Sequence, residues 1–160
     1  MLSNSRAAFR SHDHQRCVNA ALLRAEALCV ERDLRLTPIR KAILALIWQH
    51  HKPIGAYDIV EQLSGRQGKR IQAPTVYRAI EFLLSLGLIH RIASLNAYMG
   101  CPFPGSEHSD IFLICRECQT TVECSAESVN EVIAAMVSKS GFRMDSQSVE
   151  IMGHCPNCQG

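Results

Sequence analysis

The chain has 160 residues, close to half of them hydrophobic, and a formal net charge of +2. That length suits one large domain or two small ones, and that hydrophobic content suits an ordinary globular core. No apolar run is long enough to span a bilayer, and the N-terminus MLSNSRAAFRSHDH has no signal-peptide core, so the expectation is a soluble cytoplasmic protein with no membrane partner.

The charge is unevenly divided. Residues 1–92 carry 14 Lys and Arg against 7 Asp and Glu, whereas residues 93–160 carry 3 against 8. A basic front half and an acidic, Cys-rich back half suggest two domains with different partners. The basic one would attract a polyanion such as DNA by releasing its counterions. A solvated surface of uneven charge would have the same composition.

In chain order, residues 1–16 read as a disordered tail, in which His12 and His14 flank Asp13. From Val18 the positions Val18, Ala21, Leu22, Ala25 and Leu28 recur at helical spacing. Thr37-Pro38 supplies an N-cap followed by proline at the first helical position, and Ile39, Ala42, Ile43, Leu46 and Ile47 form the stripe of a second helix. After HHKPIG a short third helix runs from Ala56 to about Leu63, followed by the polar, basic loop SGRQGKR. A fourth helix starts near Pro74-Thr75 and ends at Leu86, with Gly87 as its stop. LIHRIASLNAYMG reads as two short strands around a turn at 94–96. Helices followed by such a hairpin make a winged helix-turn-helix over residues 17–99.

Residues 100–108, with the Pro- and Gly-rich CPFPGSE, read as a hinge before a second domain at 109–160. There Ile111–Ile114 and Thr120–Cys124 are strand candidates, and Ser125 can cap a helix with the apolar stripe Val129, Val132, Ile133, Met136 and Val137. Gly141 stops that helix, and Ser148–Met152 is a further strand. The expected class is α+β, a winged helix followed by a small β-β-α-β unit.

Eight cysteines in a reducing compartment point to metal ligands or redox groups rather than disulfides. Cys115-x-x-Cys118 and Cys155-x-x-Cys158 are matched pairs whose four thiolates can complete a zinc tetrahedron. Two separate redox CxxC motifs in a thiol oxidoreductase are the alternative. A zinc deaminase would need H-x-E and P-C-x-x-C, but His108 precedes Ser-Asp and the pair is Cys-Pro-Asn-Cys. Cys17 and Cys29 suit small core positions. Cys101, His108 and Glu123 cluster around the hinge and first strand pair, with His90 on the wing. One sulfur, two imidazoles and a carboxylate make a credible second zinc site, although a lone histidine such as His90 is more often a hydrogen-bonded structural residue.

LTPIRKAIL, APTVYRAIEFLLSLGLIHRI and FLICRECQTTVE resemble the ferric uptake regulator family over nearly the whole chain, from about Val18 to Cys158, and its zinc uptake regulator branch in particular. The resemblance implies a C-terminal dimerisation domain and a metal-responsive homodimer on palindromic double-stranded operators. It implies no catalysis and no small organic substrate. It places a structural zinc on Cys115, Cys118, Cys155 and Cys158, and a sensing zinc on His90, Cys101, His108 and Glu123, two per chain. Iron-sensing members carry a histidine-rich segment before the first CxxC, where this chain has EHSDIFLIC, with Phe112 in place of the last histidine. A cysteine at 101 also favours zinc over a hard, oxygen-rich iron site. DNA contact falls on Thr75, Tyr77 and Arg78 at the start of the fourth helix and on Tyr57, with Tyr77 equally suited to core packing. Arg66, Lys69 and Arg70 suit phosphate contact. A member of the family that senses another metal such as iron or manganese, and a constitutive DNA-binding module with structural zinc only, are the remaining alternatives.

Overall fold

A computed structural model describes residues 13–105 and 110–159. The described residues divide into two compact units, 13–105 with four helices and a hairpin, and 110–159 built on a three-stranded sheet.

In the N-terminal unit, α1 (His14–Glu31) turns Val18, Ala21, Ala25 and Cys29 inward. The helix begins at His14, inside the stretch expected to be a tail. The Asp13 carboxylate caps it, accepting from the Gln15 N–H at 2.9 Å, and so satisfies a donor that a helix start leaves without an intrahelical partner. His12 lies outside the described residues. Helix α2 (Pro38–Trp48) starts after Thr37 with proline in its first turn, and buries Ile43, Leu44, Leu46 and Ile47. Helix α3 (Ala56–Gln67) is a turn longer than its apolar stripe predicts. Ser64 to Gln67 are helical rather than looped, because Leu63 anchors the last turn in the core while the polar residues face water. Gly68, at φ 63°, ends it in the left-handed conformation that glycine adopts without steric cost.

Helix α4 (Ala73–Ser85) buries Val76, Ala79, Ile80 and Leu83 against α2 and α3. Val76, Ile80 and Leu83, removed from water, contribute about 1.5–3 kcal/mol each. Gly87, at φ 65°, turns the chain into β1 (Ile89–Ile92), which pairs antiparallel with β2 (Ala97–Gly100) through a turn closed by Asn96 at φ 46°. Tyr98 exchanges both backbone hydrogen bonds with Ile54, at 2.9 Å each, and so ties this wing to the segment before α3.

In the C-terminal unit, β3 (Ile111–Cys115) is central, antiparallel to β4 (Thr121–Cys124) and parallel to β5 (Val149–Gly153). Parallel pairing requires a crossover, and α5 (Glu127–Lys139) supplies it. Ala126 rather than Ser125 occupies the cap position of α5, and an alanine side chain cannot cap it. The α5 stripe is apolar as expected, yet none of α5 is buried within one chain. Val132 is 69% exposed and Met136 63%, with Ile151 on β5 at 49%.

Candidate metal centres and nucleic-acid interface

The parallel register of β3 and β5 builds a four-cysteine centre. Cys115 ends β3 opposite Gly153, so Cys155, two residues on, arrives beside it. The Cys155 N–H donates to Cys115 Sγ at 3.4 Å. Cys118 sits in the tight turn between β3 and β4, which closes by the Gln119 N–H to Cys115 carbonyl bond at 2.9 Å. A matching turn carries Cys158, whose N–H donates to the Cys155 carbonyl at 2.9 Å. All four sulfurs lie within 4.8 Å of one another. A tetrahedron with zinc–sulfur bonds of 2.3 Å has sulfur–sulfur edges of about 3.8 Å; Cys118 and Cys155 Sγ are 3.7 Å apart. Both CxxC pairs therefore belong to one site, which argues against two separate redox motifs.

Electrostatics within the centre favour a mixture of thiolate and thiol before metal arrives. Backbone N–H donors, that of Cys118 first and that of Cys155 next, bring the Cys115 thiol down to about 6. Thr120 Oγ1, 3.2 Å from Cys118 Sγ, donates to the thiolate form and lowers Cys118 as well. Cys158 is pushed up to about 12, first by its hydrogen bond with Cys155 and then by burial. Neighbouring thiols cannot all ionise together unless a cation compensates them.

The wing carries a second set of donors. Gly100 faces Ile89, and the Cys101 N–H continues the ladder to the Leu88 carbonyl at 3.0 Å. His90 and Cys101 are therefore diagonal neighbours on one face of the hairpin, and their donor atoms lie within 4.8 Å. Cys101 is buried, and its Sγ accepts from the Phe103 N–H at 3.3 Å. In the C-terminal unit, Glu123 is buried on β4 opposite Phe112, and Cys124, one residue on, projects to the other face and is half-buried. His108 lies outside the described residues. Cys29 is a core residue, its thiol raised by burial, and Cys17 is half-buried on α1.

One contact that no local pattern in the sequence announces supports the wing. A Cβ on Gly100 would stand 2.2 Å from Trp48 Cε2 and 2.3 Å from its Nε1, so the indole at the end of α2 rests on the backbone next to Cys101. Arg24 lies over the same indole, 5.8 Å from its centre.

The candidate DNA-reading residues are all exposed, on α3 and at the start of α4. Thr75, Tyr77 and Arg78 are exposed at the N-terminal end of α4, on the side away from Val76, Ala79 and Ile80. Tyr77 is not a core residue, and Tyr57 on α3 is 79% exposed. Arg66 bonds to Gln49 Oε1 at 2.7 Å, while Lys69 and Arg70 extend into solvent beyond Gly68. Among the described residues, no helix is long and apolar enough to cross a membrane.

Comparison with known proteins agrees with this arrangement. The chain is 35% identical over 138 residues to the zinc uptake regulation protein of Escherichia coli K12, covering 86% of this chain and 80% of that one. It is 32% identical over 129 residues to the zinc uptake regulation protein of Mycobacterium tuberculosis, covering 79% and 95%. A solved zinc uptake regulator complexed with zinc and DNA superposes with a TM-score of 0.82 at 33% identity, over 88% of this chain and 93% of that one. The sequence model of the ferric uptake regulator family matches residues 31–152. With a winged helix, a four-cysteine centre and this extent of similarity, the chain belongs to the ferric uptake regulator family and is similar, within it, to the zinc uptake regulators.

Proposed function

We propose that the protein is a zinc-responsive, dimeric transcriptional repressor that binds palindromic operators of zinc-uptake genes in the cytoplasm when zinc is plentiful. The observation that carries this reading is the pairing of His90 and Cys101 on one face of the wing hairpin. Imidazole with thiolate is a zinc-type donor set, whereas hard, oxygen-rich sets suit magnesium or manganese. Relatives at 35% and 32% identity are zinc uptake regulation proteins, and one solved neighbour is bound to zinc and DNA.

Two zincs per chain fit the donors. Cys115, Cys118, Cys155 and Cys158 would hold a structural ion, since a closed four-thiolate set leaves no position for exchange with substrate or water. His90 and Cys101, with His108 and Glu123 from the following unit, would hold the sensed ion. The Phe103 N–H holds the Cys101 sulfur in place, and the β1–β2 ladder presets the His90–Cys101 pair. A coupling of about 1–3 kcal/mol between metal and operator changes DNA affinity about 5- to 150-fold.

Two copies would be joined through the C-terminal unit. Val132, Met136 and Ile151 leave apolar surface in water that a second copy can cover. Sedimentation equilibrium tests this, with Val132→Asp expected to be monomeric. At the recognition helix, Arg78 offers a bidentate contact to guanine, with Thr75 and Tyr77 in the same first turns, and Tyr57 adds an exposed ring on α3. The direct test strips labile metal with a chelator. Operator binding should fall and return when zinc is restored, while the metal bound by the four cysteines stays in place throughout.

A further inference from the structure

Among the described residues of the N-terminal unit, three histidines take no part in the proposed sensing or DNA-reading sites. His14 stands in the first turn of α1, while His50 and His51 follow the end of α2. The His14 and His51 rings are 5.1 Å apart centre to centre and inclined at 53°; His14 and His50 are 6.2 Å apart at 62°. Two elements distant in sequence thus bring three imidazoles together at one end of the α1–α2 pair.

The His14–His51 spacing suits two imidazoles on a common cation, while the donor atoms of all three rings do not yet lie within 4.8 Å of one another. With a ring nitrogen about 2.1 Å from zinc and the ring centre about 1.2 Å behind it, two imidazoles at the tetrahedral angle hold their centres about 5 Å apart. The His14–His51 pair already has this separation. His50 is about 1 Å further out, and because it is exposed it can close that distance by side-chain rotation.

Local charge supports a cation on the α2 side. His50 and His51 lie at the C-terminal end of α2, where the carbonyl dipoles carry partial negative charge. His14 lies in the first turn of α1. The Asp13 carboxylate caps the same turn and offsets part of the positive charge at that helix end.

We propose that His14, His50 and His51 form a further metal site, specific for a borderline divalent transition cation such as zinc, nickel or cobalt. The site is separate from the four-cysteine centre and from the donors on the wing. All three ligands are imidazoles and no thiolate takes part, so the site binds more weakly than the four-cysteine centre and fills at higher metal concentration. Ligation pins the first turn of α1 to the end of α2. Trp48, whose ring rests on Gly100 beside Cys101, lies two residues before His50 and is the chain's single tryptophan. Occupancy is therefore visible in its emission.

The full chain with its cysteine-bound zinc in place is titrated with zinc against a chromophoric chelator, beside His14→Ala/His51→Ala. The expected result is one fewer zinc equivalent in the double variant, with the tighter equivalents unchanged. Zinc should also slow amide exchange at residues 17–20 of α1 in the wild type only. Cobalt, added as a paramagnetic probe, should quench Trp48 in the wild type and markedly less in the double variant. His50→Ala, at an exposed position, gives the same comparison should the double variant fold poorly. Equal zinc equivalents in wild type and His50→Ala, with equal cobalt quenching, would overturn the proposal. Because the readout is a difference in stoichiometry, it is independent of whether the wing donors sense zinc.

Discussion

The contact between Trp48 and Gly100 should make one methyl group costly. Gly100 does not occupy the left-handed region, so alanine meets no backbone objection there. By itself, Gly→Ala at a compatible position stabilises by about 0.4–1 kcal/mol, through the unfolded chain. The new Cβ, however, would lie 2.2, 2.3 and 2.7 Å from three indole atoms, where under 3.0 Å something must shift. Overpacking of this kind costs about 1–3 kcal/mol. The clash outweighs the entropic gain, leaving a net loss of about 0.5–2 kcal/mol. For a unit of this size that lowers Tm by roughly 4–8 °C per kcal/mol. Because the displaced backbone carries Cys101, zinc-dependent operator affinity should fall as well. Thermal unfolding followed by circular dichroism checks the first effect, and a double-mutant cycle with Trp48→Leu checks its cause. The small side chain should relieve the clash, giving a coupling above about 0.5 kcal/mol. A Gly100→Ala protein as stable as wild type, or costs that simply add, would refute this account of the wing.

Other perturbations separate the sites. Arg78→Ala should lose about 1–3 kcal/mol of specific operator affinity at fixed salt while zinc content and oligomeric state stay unchanged, as measured by fluorescence anisotropy. Cys118→Ser should be poorly folded and monomeric, because binding energy at a closed four-cysteine site is largely folding energy. Cys101→Ser should remain a folded dimer that keeps its cysteine-bound zinc but loses the zinc-dependent gain in DNA affinity. Cys124→Ser should behave nearly as wild type; metal analysis beside operator binding distinguishes the three. Zinc uptake by the four cysteines at pH 7.5 should release fewer than four protons. Cys115, lowered to about 6, is already a thiolate there, while Cys158, raised to about 12, still holds its proton. Below about 6 Cys115 protonates too, so release per zinc should rise as pH falls, measured by calorimetry in buffers of different ionisation enthalpy.

The parts of the fold legible in the sequence were those written in local periodicity and local chemistry. Thr37-Pro38 marked the start of α2, Gly87 the end of α4, and Asn96 the wing turn, each through a rule that acts within a few residues. The two CxxC pairs also identified one centre, because their geometry is carried by two short turns and only the β3–β5 register had to bring them together. What failed depended on context. Ser64 to Gln67 read as loop because glycine and polar residues lack a helical stripe, yet Leu63 in the core holds the turn. His14 to Arg16 read as tail because no apolar residue marks them, although Asp13 caps the helix there. The seating of Trp48 on Gly100 and the meeting of His14 with His50 and His51 join residues more than thirty positions apart, and no period or motif encodes such pairs.

The most direct test of the central claim is operator affinity measured against buffered free zinc, with ferrous iron and manganese run in parallel at matched free concentrations. The account predicts that zinc raises affinity about 5- to 150-fold and that iron and manganese do so far less, because His90 and Cys101 present nitrogen and sulfur. Operator affinity that is independent of zinc, or that responds equally to iron or manganese, would contradict it.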